Sequence, residues 1–126
     1  MNERQTILVV DNDRDMLTFL NRTLKTEGFD TVLAGDGGEA EALLDSEPDL
    51  VILDTTIPGT EAFEILDHLR RHSNVPIIIL SHEYALDALS TALSRGADDF
   101  IRKPFGTRSF VARIRAKLRR AQWQRV

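Results

Sequence analysis

Apolar and polar residues alternate in blocks along the chain. Five short apolar or β-branched segments, Ile7–Val10, Thr31–Ala34, Leu50–Leu53, Ile77–Leu80 and Phe100–Ile101, are separated by stretches long enough for helices. Within those stretches the apolar residues recur at the spacing of one helix face. Asp13–Glu27 carries Met16, Leu17, Leu20 and Leu24, with Gly28 as its stop, and Gly38–Ser46 carries Ala40, Leu43 and Leu44. Glu61–Arg71 carries Phe63, Ile65, Leu66 and Leu69, and Glu83–Arg95 carries Leu86, Leu89, Ala92 and Leu93 before Gly96. Thr107–Ala121 sets Phe110, Val111, Ile114 and Leu118 on one stripe. The pattern predicts a (βα)5 alternation. Leu50–Leu53 and Ile77–Leu80 are apolar at every position, so both their faces must be covered, the condition of a parallel sheet between two helix layers. Right-handed crossovers then give a doubly wound α/β sheet.

Composition narrows the picture. The chain has 126 residues, 42% hydrophobic and 29% charged, which suits one folded domain over residues 1–126. It has no cysteine, which excludes disulfides, thiolate metal sites and cysteine nucleophiles. The longest apolar runs are strand-sized, so no membrane span is expected. The polar start, Asn2-Glu3-Arg4-Gln5-Thr6, does not read as a secretory signal, and a cytoplasmic location is the expectation. Residues 102–126 hold nine Lys/Arg and no acid, leaving seven basic residues against all twenty acids in residues 1–101, a net of −13. A basic last helix more often carries solvated charges than a nucleic-acid face, and no recognition helix is visible, so DNA contact is expected only through an output domain outside this chain. The end at Gln122-Trp123-Gln124-Arg125-Val126 suits a single-domain protein and equally a piece of a longer one.

In open parallel sheets ligands bind beyond the carboxyl ends of the strands, near the switch point, here between strands 1 and 3. The residues at those ends are Asp11-Asn12-Asp13, Asp54, Ser81 and Lys103. Asp11 and Asp54 bring two carboxylates together with no cation nearby in the local sequence. A hard, oxygen-seeking ion relieves that repulsion, and magnesium fits it. Lys103 as a point charge and Ser81 as a donor suit the oxygens of a phosphoryl group, with Asp54 as the nucleophile that forms an aspartyl phosphate. Acids after strands also serve as helix N-caps, which is the expected role of Asp13. Asp54 is followed by Thr-Thr-Ile-Pro-Gly rather than a helix, so a cap does not explain it.

These residues resemble the response-regulator receiver family of two-component signalling, closest to its OmpR/PhoB type. The resemblance runs from Ile7-Leu8-Val9-Val10-Asp11 through Pro48 to Asp54, Ile57-Pro58-Gly59, Pro76 to Ser81, Gly96-Ala97-Asp98-Asp99-Phe100 and Lys103-Pro104-Phe105. It implies a CheY-like fold with the flavodoxin-like strand order 2-1-3-4-5. It also implies phosphotransfer to Asp54 from a sensor histidine kinase or phosphotransfer protein, with Mg2+ held by Asp11, Asp54 and the backbone carbonyl of Thr56. Ser81 and Lys103 would grip the phosphoryl group, and Phe100 would turn inward with Ser81, switching the face of helix 4, strand 5 and helix 5. Asp98, Asp99, Arg113 and Arg120 match charges that OmpR/PhoB-type receivers use to pair two copies through that face.

The chain departs from the family pattern in several places. A second metal-binding acid falls on Asn12, which weakens the expected metal site. His82 stands where a small residue is usual, Ala62 replaces a glycine, and Thr56 replaces longer side chains. The basic residue expected on helix 4 is Leu89, and the acid at the start of helix 5 is Ser109. Two other readings follow from the residues. One is a phosphorylation-independent interaction module whose metal site Asn12 has crippled. The other is a haloacid-dehalogenase-like phosphatase, since Leu8-Val9-Val10-Asp11-Asn12-Asp13 also reads as a strand with a DxD opening, where Asp11 would be nucleophile and Asp13 acid/base.

Overall fold

The computed structural model describes residues 4–54, 61–82 and 86–124. The five apolar segments become five parallel strands: β1 (Thr6–Val10), β2 (Asp30–Ala34), β3 (Leu50–Asp54), β4 (Ile77–Ser81) and β5 (Asp99–Arg102). Their order is β2-β1-β3-β4-β5, as expected. Every residue of β3 and β4 is buried, while the edge strands β2 and β5 keep exposed positions. Between them run α1 (Arg14–Thr26), α2 (Gly37–Leu43), α3 (Glu61–His72) and α4 (Leu86–Ser94), and α5 (Thr107–Gln124) closes the chain. Among the described residues no helix is long and apolar enough to cross a membrane.

Because strand side chains alternate between faces, the continuous apolar runs divide into two cores. Leu8, Val10, Val51, Leu53, Ile77 and Ile79 pack with Ala40 of α2, Leu66 of α3 and Ala92 of α4. Ile7, Val9, Leu50, Ile52, Ile78 and Leu80 pack with Leu20 and Leu24 of α1 and Phe110, Ile114 and Leu118 of α5. The sheet is therefore doubly wound, with α2, α3 and α4 on one face and α1 and α5 on the other. The stripe expected on α5 is buried in full.

Three helices differ from the pattern. Gly38–Ser46 is not one α-helix: α2 stops at Leu43 and a 3-10 turn, Leu44–Ser46, follows. Glu47 then sits in the left-handed region at φ 53°, its amide donating to Leu44 O at 2.9 Å as the turn closes before Pro48. Among the α4 side chains that are described, Ala88 and Ala92 are buried whereas Leu93 is 45% exposed, because that part of the helix meets the sheet through its smallest residues. The expected start of that helix at Glu83 lies outside the described residues. α5 runs on to Gln124.

Helix ends follow local chemistry. Asp13 caps α1, its carboxylate accepting from the Asp15 and Met16 amides at 2.9 and 3.4 Å, as the sequence predicts. Gly96, at φ 104°, ends α4, with the Ala97 amide donating to Ala92 O at 3.0 Å. A side chain there would also meet Arg70, which stands 3.0 Å from the ideal Cβ position.

Arg70 is a structural clamp that the hydrophobic pattern does not reveal. Its guanidinium donates to Gly96 O at 2.7 and 3.0 Å, to Ser73 O at 3.1 Å and to Val75 O at 2.7 Å, and it pairs with Asp98 at 3.0 Å. One planar fork thus ties the end of α3 to the loops entering β4 and β5. Arg70→Met keeps the stem but leaves those carbonyls without their donor. We expect it to cost about 2–3 kcal/mol in urea unfolding, with the slope of the transition unchanged.

Candidate functional site

The register of the sheet brings the strand ends together. Val10 pairs with Leu53 and Asp54 with Leu80, so Asp11, one residue past β1, is level with Asp54 on the neighbouring strand. Ser81 pairs with Arg102, and Lys103 follows at once. The Lys103 amide donates to Ser81 O at 2.8 Å, and the Asp11 amide to Ala34 O at 3.0 Å, so the ladder holds both backbones one residue past the strands.

All four side chains are buried. Asp11 and Asp54 are fully buried, and Ser81 and Lys103 are 1% and 4% exposed. The Lys103 ammonium pairs directly with Asp54 Oδ2. Asp11 Oδ1 accepts from the Asp13 amide at 2.9 Å, which fixes its carboxylate and turns the chain into α1. Among the described residues these four are the buried polar and charged side chains. Two carboxylates against one ammonium give the cluster a net charge of −1 in a place where charge is costly. The donor set fits a hard divalent cation that prefers carboxylate oxygens and keeps some water.

The other residues singled out by sequence fall around this centre. Asn12 and His82 are exposed, each next in chain to a buried site residue. Ala62 is buried near the start of α3. Thr56 and the Ile57-Pro58-Gly59 turn lie outside the described residues. Phe100 is half-buried and packs against the core under α2, α3 and α4. Asp13 is committed to capping α1, which removes the second carboxylate that a DxD phosphatase needs as acid/base.

The charged face is more internally engaged than its sequence indicates. Asp98 Oδ2 takes both Arg70 and the Ile77 amide, the latter at 2.8 Å. Asp99 Oδ1 lies 3.8 Å from Arg113 of the same chain, and Arg120 is exposed on α5. Sequence reasoning missed two groups altogether. Arg70 is one; the other is Glu41 with His68 and His72, whose metal-ligating atoms all lie within 4.8 Å of one another. The spacing of His68 and His72, one helical turn apart, was a signal that could have found the second.

The family model described as the response regulator receiver domain matches residues 7–115. The DNA-binding response regulator MtrA of Mycolicibacterium paratuberculosis is 44% identical over 118 residues, covering 93% of this chain and 52% of that protein. The transcriptional regulatory protein CpxR of Klebsiella pneumoniae is 42% identical over 117 residues, covering 93% of this chain and 50% of that protein. The chain thus spans about half the length of the curated relatives it matches. Among solved structures, the BeF3-activated N-terminal receiver domain of Klebsiella pneumoniae RstA superposes with a TM-score of 0.85 at 30% identity, covering 91% of this chain and 99% of that one. A CheY-like receiver domain protein from Methanospirillum hungatei JF-1 gives 0.88 at 27% identity, covering 97% and 99%.

Proposed function

The chain belongs to the response regulator receiver domain family, and on that footing we propose that Asp54 is its phosphoacceptor, charged from a phosphohistidine of a sensor histidine kinase or phosphotransfer protein. The observation that carries this reading is the buried meeting of Asp11, Asp54, Ser81 and Lys103 at the ends of four strands. Packing alone does not call for it, since well-packed apolar residues would hold those positions at lower cost.

An Asp54 carboxylate oxygen attacks phosphorus in line with the leaving nitrogen. The new P–O bond forms as the P–N bond breaks, and the imidazole keeps the electron pair. Lys103, already paired with Asp54, stands ready to follow negative charge onto the phosphoryl oxygens, and Ser81 supplies a hydroxyl donor from the adjacent strand. Asp11, Asp54 and the Thr56 carbonyl would hold Mg2+, with Asn12 as a neutral neighbour. Bound there, Mg2+ would screen the charge that gathers between Asp54 and the incoming phosphoryl oxygens. Attack of water on the same phosphorus returns the carboxylate, so the chain accepts and releases phosphate rather than turning over an external substrate. Incubation with a small phosphodonor tests this: uptake seen by intact mass should need Mg2+ and stop on chelation. Uptake that ignores chelation would contradict it.

The effect of Asn12 is open to a direct check. Asn12→Asp adds a third carboxylate beside the cluster and should tighten Mg2+ binding by about tenfold or more, read by titration calorimetry. An unchanged affinity would remove Asn12 from the metal site.

The switch we propose runs from Ser81 on β4 to Phe100 on the adjacent β5, which is half-buried against the core. Its readout is the surface of α4, β5 and α5, where Asp99, Arg113 and Arg120 would meet a second copy. Exposed pairs contribute about 0–1 kcal/mol each, so Leu89 and Ser109 affect the choice of partner more than the strength of pairing. DNA would be reached through an output domain, as the names of MtrA and CpxR suggest for those longer proteins.

A further inference from the structure

α2 and α3 lie side by side on one face of the sheet, and their facing surfaces carry three groups that the phosphoacceptor site does not use. His68 and His72 sit one turn apart on α3, with ring centroids 4.8 Å apart, so both imidazoles occupy one face of the helix. Glu41 of α2 reaches across, placing Oε1 2.6 Å from His68 Nε2. That approach does not give His68 Nε2 a hydrogen bond. Although a third of the His68 side chain is open to solvent, Nε2 itself is buried and has no hydrogen-bond partner. A cation held between the imidazole and the carboxylate would engage both groups at once.

We infer that Glu41, His68 and His72 bind one divalent transition-metal ion of the zinc class, at a site separate from the strand-end carboxylates. Two neutral imidazoles and one carboxylate are a borderline-soft set that favours zinc over magnesium. Tetrahedral ligands at about 2.0–2.1 Å from zinc stand about 3.3 Å from one another. The three atoms, within 4.8 Å of each other, reach that spacing by rotation of the exposed Glu41 and His72 side chains. His68, the least exposed of the three, is the anchor. The groove lined by Glu41 and His72 also carries Asp45, Glu47 and Asp49, which draw cations toward it. Three protein ligands leave the fourth position for water, and the bound ion would pin α2 to the last turn of α3.

Zinc titration calorimetry of the whole chain in excess Mg2+, which occupies the strand-end carboxylates, tests the site. One zinc ion per chain is expected, with His68→Ala and His72→Ala each weakening binding at least about tenfold and Glu41→Gln weakening it less. The chain has three histidines, so imidazole NMR signals give a reading that does not depend on variants. Zinc should shift those of His68 and His72 and leave that of His82 in place. No saturable binding at sub-millimolar zinc would overturn the proposal. So would binding that survives both helix substitutions but is lost in His82→Ala or Asp54→Asn, which would put the ion at the strand ends.

Discussion

Asp54→Asn is expected to abolish phosphoryl uptake while leaving the chain folded. The amide keeps the shape of the carboxylate but has no oxygen that attacks phosphorus, and no other described residue both lies in the strand-end cluster and pairs directly with Lys103. Removing one partner of a buried ion pair usually costs about 3–5 kcal/mol because a lone charge is left behind. Here the buried cluster keeps Lys103 and Asp11, so its formal charge count balances at one ammonium and one carboxylate. Urea unfolding should therefore show a loss well below that range. Intact mass after incubation with a small phosphodonor and Mg2+ should show no adduct.

Lys103→Met should have the opposite balance of effects. It keeps the apolar stem and removes the ammonium, leaving Asp11 and Asp54 as two buried negative charges. Without divalent cation the loss of stability should approach about 3–5 kcal/mol, and added Mg2+ should recover much of it. Mg2+ should bind this variant more tightly than the parent, since a competing positive charge is gone. Phosphoryl uptake should nevertheless fall by about 10²–10³, the usual effect of deleting one charge-stabilising donor from a reacting centre. Tighter metal with slower uptake is the signature to look for in parallel calorimetry and uptake assays. Weaker metal binding would mean that Lys103 holds the pocket open rather than balancing its charge.

Much of this was legible in the residues. Runs such as Ile77-Ile78-Ile79-Leu80, apolar on both faces, dictate a buried parallel strand, and the two-sided burial of β3 and β4 follows. The strand ends then name Asp11, Asp54, Ser81 and Lys103, because a parallel sheet collects its carboxyl ends along one edge. The cap at Asp13 was also readable, being local chemistry of one helix start. What was hidden depends on which face a helix turns inward. Leu93 fits the α4 spacing as well as Ala92 does, but the helix sits close to the sheet on Ala88 and Ala92 and leaves Leu93 in solvent. Arg70 looks like any arginine near a helix end until the loops before β4 and β5 fold around it. Asp98 likewise reads as a surface charge, whereas the fold commits it to Arg70 and the Ile77 amide. Glu41 lies 27 residues from His68, and only the pairing of α2 with α3 makes them neighbours.

The central claim is that the buried carboxylate at the end of β3 takes the phosphoryl group. Tandem mass spectrometry of the wild-type chain, after Mg2+-dependent reaction with a small phosphodonor, locates the modified residue directly. The account predicts a single acyl phosphate on Asp54. Modification on Asp11, or none at saturating Mg2+ even when Asn12→Asp restores the acid, would contradict it.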